Sequence, residues 1–185
     1  MDCIPPAVDA AHVVAFCASV LPTSKPYLVE CMPLPHEPFN QCFAIVPKQV
    51  GAHGGKQLTG WSIWEVPGLY IEAEFHAVWQ RPDGAAIDIC PRPVNFPLIA
   101  FLPDPQRQYV GLRVDNVRKA LVCDNDLIRF LHLCKQRFVV VNQGDLAHQH
   151  GNIALAHKAQ REFTLLEKEM AKLQRRLNNR YATRA

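Results

Sequence analysis

Three β-rich segments between residues 61 and 89 constrain the fold of this 185-residue chain more than any other feature. Each segment is rich in β-branched and aromatic side chains, and proline and glycine separate it from the next at Pro67-Gly68 and at Pro82-Asp83-Gly84. These residue pairs favour tight turns between strands. The pattern therefore predicts a three-stranded antiparallel meander, with strands at residues 61–65, 69–79 and 85–89.

Shorter signals on both sides of the meander predict a mixed fold. Apolar residues 7–21 indicate a helix that ends near Leu21-Pro22. Asn40 is suited to cap a second helix, which Pro47 is expected to kink or end. After the meander, Asp124 or Asn125 should cap a helix that runs to about residue 135. Further short strands are predicted at residues 27–31, 108–114 and 138–141.

The last predicted element is a long helix over about residues 153–179. Its apolar residues recur in steps of three and four, which is typical of a heptad seam. They are Ala156, Ala159, Phe163, Leu166, Met170, Leu173 and Leu177. Such a seam either lies on the body of the domain or pairs with a partner helix, and a homodimer through residues 156–177 is one form of that pairing.

Together these elements predict an α+β fold with a central antiparallel sheet, N-terminal helices and a long C-terminal amphipathic helix. We expect one α+β domain over residues 1–150 and a basic amphipathic helical tail over residues 151–185. Positive charge is concentrated in that tail and does not interleave with aromatic side chains, as it would on a nucleic-acid-binding face. The charge pattern therefore argues against nucleic-acid binding. A solvated helix face explains the positive charge of the tail.

Composition and cysteine usage indicate the cellular setting. Hydrophobic residues make up 49% and charged residues 20% of the chain, which excludes wholesale disorder. No apolar run reaches the ~18 residues of a membrane helix, so no membrane association is expected. The chain begins without a basic stretch followed by an apolar one, and its seven cysteines show no zinc-knuckle or redox spacing. We expect a cytoplasmic protein with free thiols.

Three residues could carry thiol chemistry. Cys42 falls in the first turn of a predicted helix, where a thiolate is favoured. His76 lies in the long predicted strand, on the same face as Glu72 and Glu74, and Asp88 lies on the next strand. The 12 residues between His76 and Asp88 suit a hairpin that makes them neighbours. A thiol, a histidine and an orienting carboxylate are the groups that nucleophilic thiol catalysis requires.

The order and context of these residues resemble the transglutaminase-like branch of the papain-like cysteine hydrolases. The matching segments are Asn40-Gln41-Cys42-Phe43, His76-Ala77-Val78-Trp79 and Ile87-Asp88-Ile89, within about residues 38–91. The resemblance implies a papain-like domain with Cys42 as nucleophile, His76 as general base and acid, and Asp88 as its orienting group. It also implies an oxyanion site at the Cys42 N–H and the side chain of Asn40 or Gln41, and no cofactor.

Two functions follow as hypotheses. The first is a cysteine-dependent amide or acyl hydrolase, or an acyl transferase, acting on a peptide or another amide-containing substrate. The second is a non-catalytic interaction module that uses the C-terminal heptad helix for dimerisation or partner binding. The two hypotheses differ in what they require of Cys42. An enzyme needs a reactive thiolate within reach of His76, whereas a binding module needs only a packed thiol.

Other readings of the polar residues stay open. Glu74 or Glu72 could orient His76 in place of Asp88. The four residues Glu72, Glu74, His76 and Asp88 could also supply nitrogen and oxygen ligands to zinc or iron, although their spacing matches no known ligand signature. His148 and His150 fall in a predicted loop and His157 on a helix, so a solvated surface explains them better than a metal site does.

Overall fold

The computed structural model describes residues 2–149 and 153–181, and in these ranges the chain is an α+β protein. Its helices are α1 (Ala11–Val20), α2 (Cys42–His53), α3 (Asn125–Val141) and α4 (His157–Tyr181). Its strands are β1 (Tyr27–Cys31), β2 (Lys56–Val66), β3 (Tyr70–Gln80), β4 (Ala86–Asp88), β5 (Leu98–Pro103) and β6 (Val117–Ala120). A short 3-10 helix, Gly144–His148, follows α3. No helix in the described ranges is long and apolar enough to cross a membrane.

Five of the strands close into a small mixed barrel. The hydrogen-bonded order is β2-β5-β1-β4-β3, and β3 pairs again with β2 to complete the ring. β6 is an extra strand on β3, which it joins at the end opposite to β4. The prediction of a purely antiparallel central sheet is wrong in one place, because β1 and β4 run parallel with Cys31 level with Asp88.

The predicted meander is confirmed as β2, β3 and β4. β2 and β3 pair antiparallel over eleven residues each, from Lys56 opposite Gln80 to Val66 opposite Tyr70. Gly60 lies between His76 on β3 and Pro103 on β5. A Cβ atom at Gly60 would lie 2.4 Å from the Leu102 carbonyl oxygen, so the strands approach too closely there for any side chain.

Both faces of β3 contribute buried side chains, including the face that carries His76. Ile71, Ala73 and Phe75 pack with α1 on the outside of the barrel. Val78, on the opposite face, is fully buried with Trp64 and Phe101. Closing a sheet into a barrel gives every strand an inner and an outer face, and helices cover much of the outer face here.

The helix carrying Cys42 differs from the prediction at its N-terminus. Gln41, not Asn40, is the N-cap residue, so Cys42 is the first helical residue. Pro47 does not end the helix, which continues to His53. A proline at the sixth position of a helix removes one backbone hydrogen bond. Ile45 and Val46, packed against the barrel next to it, are fully buried and hold the segment in place.

Other boundaries were also predicted wrongly. Residues 138–141 belong to α3, which Asp124 caps by accepting from the N–H groups of Asp126 and Leu127, and not to a strand. Residues 108–114 are irregular, while β5 and β6 were not predicted.

The C-terminal helix packs on the body of the molecule through the end of its seam. Met170, Leu173 and Leu177 are buried against α3, together with Leu127 and Leu133. Arg180 and Tyr181 reinforce the contact through hydrogen bonds to Asp124. The beginning of the seam is more open, and Leu165 beside it is 67% exposed.

Candidate active site

The N-terminus of α2 places Cys42 against the barrel. Asn40 has a left-handed backbone with a φ of 57°, a conformation that asparagine adopts more readily than most residues. This bend lets the Asn40 N–H donate to the Pro91 carbonyl at 3.0 Å, which fastens the start of α2 to the segment after β4. Cys42 is buried there, and its side chain accepts a hydrogen bond from the Ala77 N–H of β3.

β3 and β4 bring His76 and Asp88 into contact. The His76 Nε2 lies 3.1 Å from the Asp88 Oδ1, and both side chains are almost completely buried. In the β3–β4 register Trp79 is opposite Ile87 and Gln80 is opposite Ala86. Continuing that register makes His76 the diagonal neighbour of Asp88 on the same face, two residues along the strand. The predicted pairing of these two residues is therefore present in the structure.

Asp88 has three hydrogen-bonding partners. Besides His76, its carboxylate accepts from the Cys90 N–H at 3.1 Å and from the Arg92 guanidinium through Nη1. Burial alone would raise the pKa of Asp88, but the charge and hydrogen bond of His76, followed by those of Arg92, lower it to about 2. The carboxylate is therefore ionised at neutral pH.

Arg92 also lies beside the histidine, with its Nη2 atom 3.1 Å from His76 Nε2. Nε2 carries at most one proton, so it cannot both donate to Asp88 and accept from Arg92. When Nε2–H donates to the carboxylate, Nδ1 is the unprotonated ring nitrogen and can act as a base. The Arg92 guanidinium rests over the Trp64 ring, 5.3 Å from its centroid, and its side chain is only 13% exposed.

A second thiol, that of Cys90, adjoins Cys42. The two side chains share a hydrogen bond, which raises the pKa of Cys42 well above that of an ordinary thiol. The same hydrogen bond lowers the pKa of Cys90 to about 7, and the charges of His76 and Arg92 act in the same direction against the effect of burial. The pair can thus lose one proton near neutral pH, leaving a thiolate that the remaining S–H stabilises.

These groups line a cavity of about 940 Å³. Cys42, His76 and Cys90 contribute to its wall, while Phe43 and Tyr109 form a stacked aromatic pair with ring centroids 4.1 Å apart. The volume is within the range of small-molecule binding sites, which bury most of a bound ligand. A substrate in the cavity would therefore lie beside the residues of the candidate site.

The remaining predicted site residues also lie along this cavity. Asn40 is exposed and Gln41 half-buried, so both side chains border the space beside the Cys42 backbone. Glu74 lines the cavity too, but its carboxylate accepts from the Trp64 Nε1 at 3.0 Å. The carboxylate hydrogen-bonded to His76 is that of Asp88.

The glutamates considered as metal ligands in the sequence analysis bind different partners. Glu72 accepts from Asn116 at 3.1 Å and pairs with Arg118 at 3.0 Å. Glu74 is held by Trp64, as described above. Within residues 2–149 and 153–181, no three His, Cys, Asp or Glu side chains form a group that could hold a metal ion. His148 closes the short 3-10 helix at the cavity edge, His157 begins α4, and His150 lies outside the described residues.

Two residues of the site, Cys90 and Arg92, were not predicted from the sequence. Both follow β4 in a segment that its prolines mark as a loop. A signal was nonetheless present, because Asp88, Cys90 and Arg92 alternate along the chain. Side chains at every second position of an extended segment point to the same side.

Comparison with known proteins gave no match, whether against protein-family models, curated proteins or solved structures.

Proposed function

We propose that this chain is a cysteine-dependent amide or acyl hydrolase, or an acyl transferase of the same chemistry, related to the transglutaminase-like branch of the papain-like hydrolases. The observation that carries the proposal is the buried His76–Asp88 hydrogen bond in the wall of a cavity that Cys42 also lines. A histidine held by a carboxylate, with a thiol in the wall of the same cavity, is the set of groups that thiol catalysis needs.

The proposed reaction begins when Cys42, which is protonated at rest, passes its proton to His76 Nδ1. The sulfur attacks a substrate carbonyl, and the oxygen of the tetrahedral intermediate becomes negative. The Cys42 N–H, which lies at the start of α2, and the side chain of Gln41 or Asn40 are suited to stabilise that oxygen. His76 then returns the proton to the leaving group, and a thioester remains on Cys42.

The second half of the reaction regenerates the thiol. Water or an amine attacks the thioester carbonyl while His76 accepts its proton, and the C–S bond breaks to release an acid or an amide. Asp88 holds the ring throughout and, being ionised, balances the imidazolium charge that arises in each half-reaction. No cofactor takes part in these steps.

The first test is the pH dependence of alkylation by iodoacetamide, with each modified cysteine located by tandem mass spectrometry. We expect the Cys42–Cys90 pair to react well below the ~8.5 of a free thiol, because the pair can lose one proton near neutral pH. Cys42 should lose most of its own reactivity in His76→Ala. Cys31 is the internal control, because burial raises its pKa to about 11. The proposal fails if Cys42 reacts no faster than Cys31 or is indifferent to His76.

The second test looks for the covalent intermediate itself. Activated esters and anilides should leave an acyl group on Cys42 that intact-mass measurement detects, and Cys42→Ser should abolish it. Asp88→Asn that remains folded should acylate at least about tenfold more slowly, because the histidine loses its orienting group. Acylation that persists undiminished in Cys42→Ser and moves to Cys90 would assign the nucleophile to the other sulfur.

A non-catalytic interaction module is the second candidate. The observation that favours it is the open first half of the α4 seam, beside which Leu165 is 67% exposed. A second copy of the chain could pair there, because Met170, Leu173 and Leu177 are already covered by α3. Light scattering over a concentration series tests this, and Leu165→Lys should weaken any dimer without affecting the buried half of the seam.

A further inference from the structure

The structure contains a thiol that the proposed reaction does not use. One nucleophilic sulfur is sufficient for acyl transfer, yet Cys42 and Cys90 share a hydrogen bond in the wall of the same cavity. They come from different parts of the chain, the start of α2 and the segment after β4. A pair of thiols in contact has a chemistry of its own.

Backbone hydrogen bonds hold the two cysteines together. The Asn40 N–H donates to the Pro91 carbonyl at 3.0 Å, and the Leu34 N–H donates to the Ile89 carbonyl at 3.0 Å. The two acceptors, Ile89 and Pro91, flank Cys90, and Asn40 is two residues before Cys42. The segments that carry the two thiols are therefore held side by side, which a disulfide between them requires.

The environment of the pair favours oxidation there over other cysteines. Ala77 donates its N–H to Cys42, and the positive side chain of Arg92 lies near Cys90, so negative charge on either sulfur has a partner. Burial raises the pKa of Cys17 and Cys31 to about 11. Because the thiolate is the form that peroxides attack, thiols that stay protonated react slowly.

We propose that Cys42 and Cys90 are a modification site at which a hydroperoxide reversibly closes a disulfide across the cavity wall. One thiolate attacks the terminal oxygen of the peroxide; an S–O bond forms, the O–O bond breaks, and water or an alcohol leaves. The other sulfur then attacks that sulfenic acid; an S–S bond forms, the S–O bond breaks, and hydroxide leaves as water with the thiol proton. The two thiols lose two electrons, which reduce the peroxide.

Disulfide formation would remove the nucleophile of the proposed hydrolase. A dithiol reductant restores both thiols by exchange, whereas a lone cysteine in the same place can be oxidised further and irreversibly. The oxidation itself does not depend on acyl-transfer activity. The two proposals can therefore fail separately, since one is measured by acylation under reducing conditions and the other by a cross-link.

The experiment treats the reduced full chain with hydrogen peroxide near neutral pH. We expect the intact mass to fall by two hydrogen atoms, a cross-linked Cys42–Cys90 peptide to appear at least about tenfold faster than any product at Cys31, and dithiothreitol to reverse the change. In Cys90→Ser and in Cys42→Ser the cross-link should be absent, and in Cys42→Ser the remaining Cys90 should instead react with dimedone as a sulfenic acid. Cys31→Ser is the matched control and should cross-link like the wild type.

Two results would overturn the proposal. The first is oxidation of Cys31 or the exposed Cys123 while Cys42 and Cys90 stay reduced. The second is over-oxidation of Cys90 at equal rates in the wild type and Cys42→Ser, since a resolving thiol must protect its partner. If Cys90→Ser does not fold, Cys90→Ala replaces it, and the cross-link in the wild type still decides the question. A cross-link without any acyl-enzyme rejects only the hydrolase.

Discussion

Replacing Asp88 by asparagine should destabilise the protein strongly at neutral pH. The Asp88 side chain is fully buried and accepts from His76, Arg92 and the Cys90 N–H. Asparagine keeps the shape but removes the charge and turns one acceptor into a donor. Arg92, only 13% exposed at its side chain, would lose its counter-ion. Removing one partner of a buried ion pair costs about 3–5 kcal/mol, and we expect that loss in the free energy of unfolding at pH 7.

The effect should depend on pH in a defined direction. Despite its burial, the pKa of Asp88 is lowered from the ordinary 3.8 to about 2 by His76 and Arg92. At ~1.4 kcal/mol per pKa unit, the charged carboxylate contributes about 2.5 kcal/mol of stability. Because the pKa is lower in the folded state, this contribution is complete above about pH 4 and is lost as the pH falls towards about 2. The advantage of the wild type over Asp88→Asn should shrink over the same interval.

Urea denaturation followed by circular dichroism between about pH 7 and pH 2 measures both effects. Glu37→Gln is the control, since Glu37 makes only a surface ion pair with the exposed Lys48 at 3.2 Å. It should change the free energy of unfolding by less than about 1 kcal/mol. The reasoning is refuted if Asp88→Asn is as mild as the control, or if its cost is the same at both ends of the pH range.

Three further substitutions test the barrel and the helix contact by thermal and urea denaturation. Gly60→Ala should cost about 1–3 kcal/mol, because its Cβ would lie 2.4 Å from the Leu102 carbonyl oxygen; an unchanged stability would show that the strands can separate there. Gly51→Ala, in the interior of α2 with nothing within 4 Å of the new Cβ, should instead stabilise by up to about 1 kcal/mol. Leu177→Ala should cost about 2–5 kcal/mol, whereas the exposed Leu165→Ala should cost less than about 0.5 kcal/mol; equal effects would contradict the packing of α4 on α3.

The features predicted correctly from the sequence are those set by local residues. The β2–β3–β4 meander follows from alternating side chains and two proline-glycine turns, and β1 from a short apolar run. The contact between His76 and Asp88 follows from the same hairpin. The cap of α3 at Asp124 is equally local, because a carboxylate one residue before a helix can accept from its first N–H groups.

The features predicted wrongly depend on contacts distant in sequence. Residues 138–141 have the β-branched composition of a strand, yet Val140 is buried at the end of α3 and the helix continues through it. β5 follows a proline-rich loop and ends at Pro103, and it becomes a strand because β1 and β2 pair with it on both sides. The parallel contact between β1 and β4 likewise exists only because the barrel closes.

Arg92 shows why part of the site could not be predicted together with Cys42, His76 and Asp88. The guanidinium has to reach the Asp88 carboxylate, the Trp64 ring and the edge of His76 at once, and nothing in the local sequence brings these three together. A lysine has a single ammonium and cannot make the planar, multidentate contact. By keeping Asp88 ionised and fixed, Arg92 allows the carboxylate to hold His76 in the tautomer with Nδ1 free. Within the proposed mechanism it is therefore a positioning residue, which acts on the thiol only through Asp88 and His76.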